Sequence, residues 1–246
     1  MQLEKWQDPR FLDPMLSPHY RDDLEYHGYE RHAVYTADKA VEIGRVAIAH
    51  GVEIDITLFP STGRGHDAGK YLIPGRDHPW DTEEEHAADV TARTQRLLGM
   101  PAAKINHSSD VIKSTNANVL CKTDTAKCLR QADLDNLIRD PIVFLNATYR
   151  LYKESKRLKE EPVFSGRTNP MGLIKDLVDF GAISHEILST YLAEDISLGD
   201  FDRDREGRSL FALRAAANVN LLVPNRLSDF LSKNLAAVVN YQPIGL

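Results

Sequence analysis

From His32 onward, apolar residues recur at spacings of three and four, and strand signals are nearly absent. A chain patterned this way buries one stripe per helix, which predicts an all-α fold. The 246 residues are enough for one large domain with a real core. Residues 1–20 carry Pro9, Pro14 and Pro18 among scattered aromatics and read as an irregular N-terminal arm. A core over 21–165 and a helical C-terminal extension over 166–246 are expected to follow.

Within the core, a helix is expected from His32 to about His50, stopped by Gly51. Its inward stripe reads Val34, Ala37, Val41, Gly44 and Ile48, with His32, Thr36, Ile43 and Ala47 on the flank. Val52 to Phe59 is too short an apolar run to classify by period. Pro60-Ser61-Thr62-Gly63-Arg64-Gly65 is expected to break regular structure, and Lys70 to Pro79, with Pro74 and Gly75, to form a loop. Thr82 followed by Glu85 has the capping-box spacing and opens a helix with Ala87, Val90, Thr94 and Leu97 on one face. Further helices are predicted over 104–115, 124–137 and 141–160. In the extension, Leu173-Leu177, Ile183-Ile187-Tyr191, Leu210-Leu213-Ala217-Leu221 and Leu227-Leu231-Leu235-Val238 keep the same spacing.

A net charge of -6 provides no global basic field, so duplex nucleic acid is not an expected partner. No run approaches ~18 apolar residues, so no membrane span is expected. Met1-Gln2-Leu3-Glu4-Lys5 reads as no secretory or transit signal, and a cytoplasmic location is expected. The two cysteines, Cys121 and Cys128, could share a helical face; they make neither a disulfide framework nor a zinc site.

The chemistry gathers at His66-Asp67. Neutral imidazole and carboxylate both suit a divalent first-row metal, and adjacent residues can serve one ion from two directions. His32 sits at the edge of a buried helical face. Asp133 falls on the apolar stripe of Ala126, Leu129 and Leu137, where a carboxylate is costly unless paired, hydrogen-bonded or bound to metal. Singly, each reads equally well as a satisfied polar residue in a helical core; jointly they form a candidate ligand set.

In order, the chain runs His32, His66-Asp67, then Asp133 within Ala132-Asp133-Leu134. This resembles the HD superfamily of metal-dependent phosphohydrolases, in which an early His, a His-Asp pair and a late Asp converge on one metal. Glu83-Glu84-Glu85-His86-Ala87-Ala88 is similar to the acidic stretch before a small-residue helix in the phosphohydrolase branch. Val111-Ile112-Lys113-Ser114-Thr115 resembles that branch's apolar helix ending in Thr, and Tyr149-Arg150-Leu151-Tyr152-Lys153-Glu154 fits its layout. The resemblance covers about Tyr26 to Arg167 and is carried by the order of short motifs. Pro60 and the glycines before His66 depart from the family's apolar helix, predicting that helix short or broken.

The resemblance implies an HD-domain helical bundle. It implies hydrolysis of a phosphate ester or anhydride, expected to be that of a nucleotide, by attack of metal-activated water. His32, His66, Asp67 and Asp133 would hold one divalent cation (Mn, Mg, Fe, Co, Ni or Zn). Asp67 and Glu84 are the implied catalytic residues, with Glu83 or Glu85 as substitutes for Glu84. Lys70 and Arg64 are candidate phosphate contacts, and Arg76 and Arg167 weaker ones. His86 and His107 could hold a second metal, as in some branches, and His27 stands five positions before His32, where the family often has a His four before.

The alternatives are a cyclic-nucleotide or oligonucleotide phosphodiesterase, since His66-Asp67-Ala68-Gly69-Lys70 is similar to that branch's motif, or a non-catalytic metal- or nucleotide-binding sensor. The expected partner is a small phosphorylated substrate, and homo-oligomer formation stays open. Asp200-Phe201-Asp202-Arg203-Asp204 superficially resembles a calcium loop, but Arg205 replaces the turn glycine and Phe211 the closing acid.

Overall fold

The computed structural model describes residues 3–21, 23–70, 82–163 and 169–242. Among these residues there are ten α-helices and no strand, only an isolated bridge between Arg203 and Ser209. The all-α expectation holds, and no helix among the described residues is long and apolar enough to cross a membrane. The loop expected around Pro74, Gly75 and Pro79, and the candidates Arg76 and Arg167, lie outside the described residues. The chain forms two compact units: Met1–Asp133 with Ile196–Asp202, and Leu134–Asp195 with Arg203–Leu246. The boundary expected near residue 165 falls inside the second.

The first unit holds α1 (Pro9–Leu16), α2 (Val34–Ala49), α3 (Phe59–Gly65), α4 (Glu83–Leu97), α5 (Ala102–Lys113) and α6 (Asp124–Asp133). The N-terminal residues are not an irregular arm. Asp8 caps α1 by accepting from Arg10 N–H, and Pro9 occupies the first turn, where a missing N–H costs nothing. Leu12 and Leu16 are fully buried, in one cluster with Tyr20, Tyr29, Ala33, Ala68 and Val90. Nor does Pro60-to-Gly65 break regular structure: it is the short helix α3, again with its proline in the first turn.

The glycines of α3 serve close packing. A Cβ on Gly63 would stand 2.4 Å from Ala37 Cα on α2, and one on Gly65 would stand 2.0 Å from Thr91 Oγ1 on α4. This close approach also corrects the expected face of α2. Its buried residues are Thr36, Ala37, Ala40, Gly44 and Ala47, while Ile48 is 42% exposed. Small side chains line the inner face because α3 leaves no room for larger ones, so the flank carrying His32 is the inward side. On α4, Leu97 is likewise exposed, and Gln95 is buried instead, its Nε2 donating to Ser61 Oγ (2.8 Å) and Ser108 Oγ (2.6 Å).

Thr82 caps α4 as its spacing predicts, accepting from Glu85 N–H at 3.2 Å. The cysteines do not share a helix: Cys121 precedes α6 and Cys128 lies within it, both buried and neither in a disulfide.

The second unit holds α7 (Pro141–Leu158), α8 (Pro170–Leu192), α9 (Leu210–Leu221) and α10 (Pro224–Asn240). Buried side-chain amides tie its elements together. Asn146 Nδ2 donates to Val238 O (2.7 Å), and Asn218 Nδ2 donates to Leu137 O (2.9 Å) and Arg139 O (2.8 Å). Tyr152, fully buried, donates its hydroxyl to Asp176 Oδ2 at 2.6 Å.

Candidate metal centre

Four short pieces of the first unit supply the centre. The first is a π-helical turn, Tyr29–Ala33, entered through extended Gly28 and closed by Val34 N–H donating to Tyr29 O. Such turns recur at functional sites because the extra residue re-aims a side chain. Here it presents His32, buried, at the entrance to α2. The second piece is the end of α3, where His66 is the C-cap and its Nδ1–H donates to Gly63 O at 2.7 Å. That bond leaves the lone pair of His66 on Nε2, the arrangement a metal-ligating histidine needs.

Asp67 follows at once, and Gly69 then turns the chain with φ +82°. A Cβ on Gly69 would lie 2.1 Å from Cε1 of His86, so glycine there is required by conformation and by space alike. The fourth piece is the end of α6, whose last residue is Asp133.

The donor atoms meet. His32 Nε2 lies 3.2 Å from His66 Nε2, 3.3 Å from Asp67 Oδ2 and 3.0 Å from Asp133 Oδ1. His66 Nε2 lies 3.4 Å from Asp67 Oδ2 and 3.3 Å from Asp133 Oδ1. Neighbouring donors on an ion with bonds of about 2.0–2.2 Å stand roughly 3 Å apart, so these separations fit a shared divalent cation. Asp67 Oδ2 is buried with no hydrogen-bond partner, an oxygen whose natural complement is a cation. Two imidazoles and two carboxylates are a donor set suited to a first-row divalent metal.

The electrostatics agree. Burial opposes charge on His32, yet its hydrogen bond to Asp133 and the neighbouring Asp67 carboxylate outweigh it and hold its pKa up to about 9. Burial also opposes charge on Asp67 and Asp133; the positive field of the histidine pair, His66 first and then His32 with its hydrogen bond, outweighs it and holds both well below the usual carboxylate range. Lys70 adds to this at Asp67, its Nζ donating to Oδ1 at 2.9 Å and leaving Oδ2 to the cluster.

The remaining candidates divide. Lys70 stands at the centre's edge, with about a quarter of its side chain exposed. Arg64 is turned to structural use: its buried guanidinium donates from Nε to Asp13 Oδ1 (2.9 Å) and lies 3.6 Å from Asp38 Oδ1. Glu84 Oε2 accepts from Asn116 Nδ2 at 3.0 Å, linking α4 to the turn after α5. Among the described residues, His86 and His107 join neither of the trios of possible metal donors; His27 does, with His32 and Asp67.

His27, whose five-residue spacing to His32 fits no straight helix, was open from the sequence, and the structure places it beside His32 and Asp67. Arg130 carried no such mark: fully buried on α6, it donates to the carbonyls of Ser114, Asn116 and Val119. It pins the turn carrying Asn116 three residues before Asp133. Its one sequence signal is an arginine beside Leu129 on the inward side of α6.

No family model, curated protein or solved structure matches the chain.

Proposed function

We propose that this chain is a metal-dependent phosphohydrolase acting on a phosphate ester or anhydride of a nucleotide. One observation carries the reading: three distant stretches of sequence meet in a buried site, where His32 Nε2 and His66 Nε2, 3.2 Å apart, each stand 3.0–3.4 Å from a carboxylate oxygen of Asp67 and of Asp133. His32, His66, Asp67 and Asp133 would hold the cation. A divalent ion bound there would supply Lewis acidity toward a phosphoryl oxygen and acidify nearby water.

The protein's own groups do the rest. Gly63 O fixes the tautomer of His66, and Lys70 orients Asp67 while placing a positive charge beside the centre for a substrate oxygen. Glu84, held by Asn116, is the candidate for orienting the attacking water. Two buried cysteines outside any disulfide suit the cytoplasmic location we assign to this activity.

The test is metal analysis of the purified protein together with a panel of nucleotides and phosphate esters. Phosphate release that needs a divalent cation, and is abolished by chelation and by Asp67→Ala, is the expected result. Release indifferent to both would overturn the reading. A protein that holds metal and nucleotide but turns nothing over would be a sensor instead.

A further inference from the structure

We propose that His27 is a fifth protein ligand of the same centre, so that the donor set is three imidazoles and two carboxylates. This rests on the reading that the centre binds a divalent cation. A ligand atom of His27 lies within 4.8 Å of ligand atoms of both His32 and Asp67. Asp67 reaches His32 through Nε2, the atom that also faces His66 and Asp133. The two donor trios share His32, and Asp67 belongs to the quartet as well, so we read them as one centre with five donors.

The backbone is built to bring His27 there. In a straight α-helix, residues five apart lie about 140° around the axis from one another. Between His27 and His32 the chain instead turns through Gly28, where a Cβ would stand 2.8 Å from Leu24 O, and enters the π turn. The result is a buried His27 whose ring lies 5.4 Å from that of His32 at 86°. Rings set edge to face in this way do not stack, and each can aim a nitrogen at a common ion. Tyr26 closes the other side, edge-on to His27 at 4.7 Å and tilted against His32 at 5.0 Å.

Three imidazoles change which ion the centre takes. Magnesium prefers oxygen ligands and retains its waters, whereas imidazole suits zinc, iron, nickel and cobalt. The cofactor class is thus a first-row transition ion, and five protein donors leave one octahedral position for water or substrate.

X-ray absorption on the zinc-loaded full chain counts imidazoles without any variant. Three imidazoles are expected, and a fit requiring two would overturn the proposal. In His27→Gln the count should fall by one and zinc affinity by about tenfold or more, with the metal-free circular dichroism spectrum unchanged. An unaltered count and affinity in a folded variant would also overturn it. If His27→Gln does not fold, the wild-type count decides alone. Zinc bound by two imidazoles, with turnover intact, defeats this inference and spares the phosphohydrolase reading. Three imidazoles without turnover do the reverse, and failure to bind zinc at all defeats both.

Discussion

His32 and His66 point Nε2 at Nε2 across 3.2 Å. With the Nδ1–H of His66 committed to Gly63 O, its Nε2 carries a lone pair, and the facing nitrogen must bring a proton or share a cation. In the metal-free protein a proton on His32, stabilised by Asp67 and Asp133, fills that role. A cation would replace it with something that also satisfies Asp67 Oδ2.

Metal should therefore stabilise the fold. At a concentration a hundredfold above Kd, a ligand bound only by the native state adds about 2.7 kcal/mol. For a protein of this size that raises Tm by about 5–10 °C. Differential scanning fluorimetry with zinc, manganese and cobalt, reversed by a chelator, measures it. An unchanged Tm at every metal would argue that the cluster is a purely protonic network.

Lys70→Met should weaken substrate binding, raising KM about tenfold at little cost in stability, because the lysine is partly exposed and contributes charge at the rim. Steady-state kinetics at two ionic strengths would show it. A fall in kcat alone would place Lys70's role in orienting Asp67 rather than in holding phosphate.

Glu84→Gln keeps an acceptor for Asn116 Nδ2 but removes the base. The expected loss is about a hundredfold or more in kcat, with metal content unchanged. If kcat is untouched while Asn116→Ala and Glu84→Gln both lower Tm, Glu84 serves only to fasten α4 to the turn after α5.

Gly63→Ala should destabilise by about 1–3 kcal/mol or more, since the new methyl meets the backbone of Ala37, which cannot swing aside. Because Gly63 O also orients His66, metal affinity should fall as well. Urea unfolding and zinc titration read the two effects separately, and loss of neither would mean that α2 and α3 separate freely.

Asp55 offers a pH test away from the centre. Burial raises its pKa, but hydrogen bonds from Lys104 Nζ (2.8 Å to Oδ2) and Thr57 outweigh it, for a net lowering. A carboxylate lowered on folding stabilises above its unfolded pKa, and this contribution disappears as pH falls through the folded value. Lys104→Met should thus lower stability at neutral pH and flatten its decline toward acid, the variant and the unaltered protein converging below the folded value. Urea unfolding at neutral and acid pH reads this, and equal stability of the two proteins at neutral pH would count against the pair.

The meeting of His32, His66, Asp67 and Asp133 was legible because residue type and order carry it: a His-Asp pair, an earlier His and an acid on an apolar stripe. The helical class was legible from periodicity. The inward face of α2 was not, because hydrophobicity ranks Val and Ile above Ala, Gly and Thr, whereas the approach of α3 demands the smaller set. The helix Phe59–Gly65 was hidden for a related reason: glycine and proline usually punctuate structure, and here they permit the tightest packing in it. His27 and Arg130 depend on a non-standard turn and on long-range carbonyl contacts, neither of which leaves a periodic trace.

The π turn at Tyr29–Ala33 makes the centre sensitive to counting as well as to chemistry. A substitution at Glu30 or Arg31, both exposed, changes a surface side chain and at most the long Arg31 bond to Glu25 O. Deleting either would relax the turn to ordinary α geometry and rotate the preceding chain by about 100° relative to α2. Over evolutionary time positions 30 and 31 should accept replacements yet reject a change of length by a single residue.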